Sequence, residues 1–159
     1  MNNSQGDRTA ACLFTNEPYT FFKYTPEQLN DELMWVRVSE DYPRFFGITP
    51  NFISKSMKGN FRNTVVIVAG CTLLYDNIMA STFTQKGAST FLAWNGSVGL
   101  DYVDKSTISL VKNLLSDKRT LKEVWDVTMA ENGRDPQYQS WLKYYPPKSG
   151  DKTLRQLIQ

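Results

Sequence analysis

The feature that most constrains this fold is the run Thr64-Val65-Val66-Ile67-Val68-Ala69, which leads into Gly70-Cys71. Continuous apolar, β-branched side chains without alternation suit a strand covered on both faces, as in the centre of an α/β sheet. Beyond Cys71, residues Leu74, Ile78, Met79 and Phe83 predict a helix down to Lys86-Gly87, a basic last turn with a glycine cap. Ala88 to Trp94 reads as a second apolar strand, which Asn95-Gly96-Ser97 breaks. Strand, helix, strand in that order predicts parallel strands joined by a right-handed crossover.

The flanking segments carry their own signals. Residues 1–9 read as a flexible polar leader and residues 10–159 as one α/β domain. Ala10 to Phe14 is a short strand candidate closed by a turn at Thr15-Asn16-Glu17-Pro18. Thr25-Pro26-Glu27-Gln28 and Thr49-Pro50 read as helix starts, the first with Thr25 as cap and Gln28 at the capping-box position. Trp35 to Val38 is expected to be extended. Ser39 to Ile48 is expected to be a loop whose Phe45 and Phe46 either dock on the core or line a surface groove. Ile108, Val111, Leu114 and Leu115 mark another helix, started by Asp101 or Asp104. Thr120-Leu121-Lys122-Glu123 is a capping box for a helix ending before Gly133. Tyr138, Trp141 and Leu142 suggest a short last helix, ended by Tyr145-Pro146-Pro147.

Charge and residue usage exclude several functions. The net charge of +2 arises from 18 basic and 16 acidic residues with no long block of one sign, so no concentrated phosphate-binding surface is expected. Nucleic acid is therefore not an expected partner. No run of 18 apolar residues occurs and the first residues are polar, which predicts a cytoplasmic protein without a membrane span or signal peptide. Two cysteines and no histidine make neither a disulfide framework nor a four-ligand zinc site, and no cofactor is expected. The Gly-x-Gly-x-x-Gly pattern of dinucleotide binding is missing too. With no histidine, any mechanism that uses an imidazole base must import it or do without.

Chemistry is expected where the two strands end, because parallel α/β sheets bind ligands outside the carboxyl ends of their strands. Cys71 follows Gly70, which would allow a tight turn, and the next helix would aim its first amides at the thiol. The other reading of Cys71 is an inert buried hydrophobe. At the end of the second strand, Trp94 would be an apolar wall or a core plug. Asn95 and Ser97 would bind a peptide backbone, with Gly96 as the turn between them. Asp101 would meet a basic side chain, although its simpler role is a helix cap. Asp76 is best read as a carboxylate favoured in a first helical turn.

Three segments taken in order resemble the caspase-like cysteine peptidase superfamily, and within it the branch of clostripain, gingipain and related prokaryotic domains. They are Asn63 to Cys71, Met79-Ala80-Ser81-Thr82-Phe83-Thr84-Gln85-Lys86-Gly87-Ala88, and Ala93-Trp94-Asn95-Gly96-Ser97-Val98. The resemblance spans roughly Phe61 to Gly133 and reaches back towards Cys12. It implies a three-layer fold with a mostly parallel sheet flanked by helices, and peptide-bond hydrolysis through Cys71. It further implies an oxyanion site at the Gly70 and Cys71 amides, and recognition of the residue before the scissile bond by Trp94 to Val98, with Asp101 favouring Arg or Lys. The family's histidine stands at the end of the preceding sheet strand, and no residue here can take that role. Either that strand lies upstream of residue 1 or the chain is an inactive relative. A peptide or protein substrate is then expected, or, for a non-catalytic interaction domain, a protein partner held by Phe45, Phe46 and the Trp141 to Pro147 segment.

Overall fold

The computed structural model describes residues 11–116 and 118–159. The expected leader at 1–9 lies outside them. The first three strands, β1 (Leu13–Pro18), β2 (Leu33–Val36) and β3 (Phe45–Ile48), form an antiparallel sheet with β3 in the middle. The segment expected to be a loop is thus the central strand of this sheet. Its Gly47 explains why: an added Cβ would lie 2.6 Å from Val36 Cγ1, so only a glycine lets β2 close on it. Phe46 is buried beneath Tyr19 and Tyr24, with ring centroids 5.0 and 5.3 Å away, and lines no groove. Thr15 to Pro18 continue β1 and do not turn, because the Thr15 hydroxyl donates to the Phe46 carbonyl at 2.7 Å.

Two short helices accompany this sheet. In α1 (Thr25–Leu29) the preceding Tyr24 has φ 57 and occupies the cap position, so Thr25 is not the cap. Gln28 does not close a capping box; its amide donates to the Lys23 carbonyl at 2.6 Å. The second start is as expected. Thr49 caps α2 (Pro50–Lys55), its hydroxyl accepting from the Asn51 N–H at 3.2 Å.

The second half carries β4 (Val65–Ile67), α3 (Ile78–Gln85), β5 (Thr90–Trp94), α4 (Leu100–Leu115), α5 (Leu121–Asn132), β6 (Leu142–Tyr145) and α6 (Leu154–Leu157). The sheet order is β4-β5-β6, with β4 and β5 parallel across the α3 crossover, as expected. The pairing β5–β6 is antiparallel. Of the four strand pairings among the described residues, only β4–β5 is parallel, so the expectation of a mostly parallel sheet extends no further than that pair. The reason lies in the connection. Helices α4 and α5 form an antiparallel pair, tied by Asn113 to Thr128 at 3.2 Å and by the Tyr102 hydroxyl to Gly133 at 2.7 Å, and return the chain to the end where β5 finished. A strand entered from there must run against β5.

Every residue of β5 is buried, whereas the residues of β4 are half-buried, and β4 is an end strand of its sheet. The centre is therefore β5, not the Thr64 to Ala69 run. Alternation along β5 feeds two cores. Leu92 and Trp94 pack with Val103, Leu110, Leu121 and Val124 of α4 and α5, while Phe91 and Ala93 pack with Met79, Ala80 and Phe83 of α3 and Ile53 of α2. Helices thus cover both faces of this sheet. Leu13 and Ile48 reach the second core, which joins the two sheets. The Thr120 and Glu123 capping box opens α5 as expected, and Gly133 ends it at φ 67. Tyr138 to Leu142 is no helix, because Leu142 is drawn into β6 opposite Trp94 and is fully buried there. Trp141, Tyr144 and Tyr145 are half-buried within or beside that strand and do not form a projecting surface.

Candidate functional site

Past β4 the chain does not enter a helix at Cys71. It keeps running beside β5: Val68, Thr72 and Leu74 donate their N–H groups to the carbonyls of Leu92, Gly96 and Trp94, each at 3.0 Å. Burial drives this course, because Leu73 and Leu74 must reach the α3 core. Thr72 takes the left-handed conformation, φ 59, and it is this residue, not Gly70, that makes the turn. Helix α3 waits until Ile78, whose N–H donates to Asp76 Oδ1 at 3.0 Å, so Asp76 stands just before the helix and not in its first turn, where it was expected. The first turn of α3 therefore does not follow directly on the thiol.

A different amide meets the sulfur. The Val98 N–H donates to Cys71 Sγ at 3.4 Å, and the Val98 carbonyl lies 3.8 Å from the same sulfur as acceptor for the thiol. Cys71 is exposed, which removes the inert buried reading. An N–H aimed at sulfur from a fixed backbone stabilises negative charge that develops there. Among the described residues, the Gly70 and Cys71 N–H groups donate to no backbone carbonyl. The other cysteine, Cys12, is only half-exposed, and burial pushes its thiol above the ordinary value.

The remaining expected residues divide. Trp94 is fully buried in the α4 and α5 core and is the plug, not a pocket wall; its Nε1 has no hydrogen-bond partner among the described residues. Asn95 Oδ1 accepts from the Trp141 N–H at 2.9 Å, and the Asn95 N–H donates to the Trp141 carbonyl at 3.2 Å, so this residue holds the entry to β6. Gly96 offers its carbonyl to Thr72 and packs so closely on Ser140 that a Cβ would lie 3.1 Å from that side chain. Ser97 is exposed, and its carbonyl accepts from Ser140 Oγ at 2.6 Å. Asp101 is exposed in the first turn of α4 but does not cap it, since the cap position belongs to Gly99.

Sequence reasoning placed Val98 in the recognition loop and not against the sulfur, and it missed Asp135 and Ser140. Asp135 is fully buried. Its Oδ2 accepts from the Gly99 N–H at 2.8 Å, and its Oδ1 from Gln137 and Tyr138 at 2.9 and 2.7 Å. Burial pushes this carboxyl up, yet the three N–H donors outweigh it and hold it below the usual carboxylate range. The only local signal was an aspartate before Pro136, which marks a turn and nothing more.

Grooves of about 580 Å³ between α4 and α5, and of about 300 Å³ beside Thr49 and Ile78, are not lined by Cys71. Among the described residues no three His, Cys, Asp or Glu side chains gather as a metal site, and no helix is long and apolar enough to cross a membrane. No protein-family model, curated protein or solved structure matches this chain.

Proposed function

We propose that this chain is a caspase-like cysteine-peptidase domain in which Cys71 is the nucleophile for peptide-bond hydrolysis, with the imidazole supplied from outside these 159 residues. The observation that carries the reading is an exposed thiol just past β4, met at 3.4 Å by an amide just past the parallel strand β5. In this reading the Cys71 thiolate attacks the carbonyl carbon, and the Gly70 and Cys71 amides receive the oxyanion. The C–N bond then breaks, the amine leaves with a proton from the imidazolium, and water hydrolyses the thioester to return the thiol. The exposed Asp101 beyond the Asn95 to Val98 loop favours an Arg or Lys side chain. The outer edge of β4 is unpaired among the described residues, and a histidine-bearing strand would pair there.

The test uses the 159-residue chain. By itself it is expected to turn over Arg or Lys peptides very little, while a peptidyl chloromethyl ketone with a terminal Arg labels Cys71 faster in the folded than in the urea-unfolded chain. Equal labelling in both states, or turnover that survives Cys71→Ala, would sink the reading.

A second reading, a non-catalytic caspase-like interaction domain, draws on the absence of histidine and on Phe21, Phe22 and Leu29, which are 70%, 89% and 80% exposed. It predicts that Phe22→Asp abolishes association of the chain with itself or a partner. A chain that stays monomeric and captures nothing through this face would remove it.

A further inference from the structure

The loop from Asn95 to Gly99 is gripped from behind almost residue by residue. Asn95 is bound through its backbone and its carboxamide oxygen to Trp141, and Gly96 is pressed against Ser140. The Ser97 carbonyl takes the Ser140 hydroxyl, and the Gly99 N–H goes to Asp135. Val98 alone is missing from this set, and it is Val98 whose N–H and carbonyl face Cys71 Sγ. The backing loop is rigid in its own right. Asp135 donates its N–H to the Ser140 carbonyl at 2.8 Å and accepts from the Gln139 N–H at 2.8 Å, while its carboxylate ties down Gln137 and Tyr138.

We propose that Asp135 is a positioning residue for the Cys71 thiol: by holding Gly99 it fixes the adjacent Val98 amide against the sulfur. This rests on the reading of Cys71 as the reactive thiol. The physical case is that a fully buried carboxylate with three backbone N–H donors, one of them 36 residues away, is costly to disturb. Releasing Gly99 frees the Val98–Gly99 peptide, whose carbonyl faces the sulfur, and lets Val98 turn about its Cα, which also moves the N–H of the preceding peptide off the sulfur. Access cannot mask the effect, because Cys71 is already exposed.

The experiment measures iodoacetamide alkylation of Cys71 near neutral pH in a Cys12→Ser chain, alongside the amide proton resonance of Val98. Asp135→Asn, checked to be folded by circular dichroism, is expected to slow alkylation about threefold or more and to move the Val98 resonance, while β5 resonances hold still. A role in stability alone would lower the melting temperature and leave both readouts of the folded chain where they were. Should Asp135→Asn fail to fold, Ser140→Ala removes only the Ser97 arm and is expected to give a fall of about twofold with the same Val98 shift. A folded variant with both readouts unchanged overturns the proposal. Comparison of the parent chain with its urea-unfolded state separates the two readings. A folded thiol no faster than the unfolded one defeats Cys71 as the reactive thiol and the positioning role with it. A fast thiol indifferent to Asp135 and Ser140 defeats the positioning role alone.

Discussion

The backbone N–H of Val98 meets the sulfur of Cys71 at 3.4 Å, although the two residues are 27 positions apart in the chain. Each stands just beyond one of two neighbouring parallel strands, so strand register brings them together and neither local sequence does. The pair sets apart the two thiols of the chain. Cys71 is exposed and faces an amide, whereas burial raises the Cys12 thiol. Native alkylation, followed by mass spectrometry, should modify Cys71 about tenfold faster than Cys12, and the difference should vanish in urea. Equal native rates would contradict the site geometry.

Gly96 packs tightly against Ser140. A Cβ there would sit 3.1 Å from Ser140 Cβ, so Gly96→Ala should destabilise the fold by about 1–2 kcal/mol in urea melts. Adding Ser140→Gly should recover part of that loss, and purely additive effects would show that the two residues do not press on each other.

Asp135 gives the stability a definite acid limb. Its folded carboxyl lies below the unfolded value of about 3.9, so its contribution is fully present above that pH and is lost as pH falls through the folded value. The slope of stability against pH in the window below about pH 4 should therefore flatten in Asp135→Asn. An unchanged slope would mean that the carboxylate is not held by its three donors.

Two threonines stand before helix-start prolines, and they should behave differently. The Thr49 hydroxyl accepts from Asn51 and lies 2.7 and 3.0 Å from the Asp31 and Glu32 carbonyls, so Thr49→Ala should cost about 1–2 kcal/mol. Among the described residues the Thr25 hydroxyl reaches only the Phe22 carbonyl, at 3.4 Å, and Thr25→Ala should stay within about 0.5 kcal/mol. Similar losses at both sites would refute the assignment of Tyr24 as the α1 cap.

What the sequence determined by itself was whatever is decided within a few residues. The Thr49-Pro50 start, the Thr120 and Glu123 box, the α3 periodicity and the apolar β5 run were all legible, because caps and side-chain periods act over one or two turns or along one strand. The sequence also placed Cys71 after a strand that has a parallel neighbour. Only the tertiary structure decided that β5, and not the more β-branched β4, is the centre, since that depends on where β6 returns after α4 and α5. It likewise decided that Phe45 to Ile48 is a strand, that Trp94 turns inward, and that Cys71 meets Val98, just before α4, and not the start of α3. The site depends most on contacts such as Asp135 to Gly99, which span 36 residues. Such contacts have no local signature, because a buried carboxylate and a distant backbone N–H become partners only after packing has removed both from water.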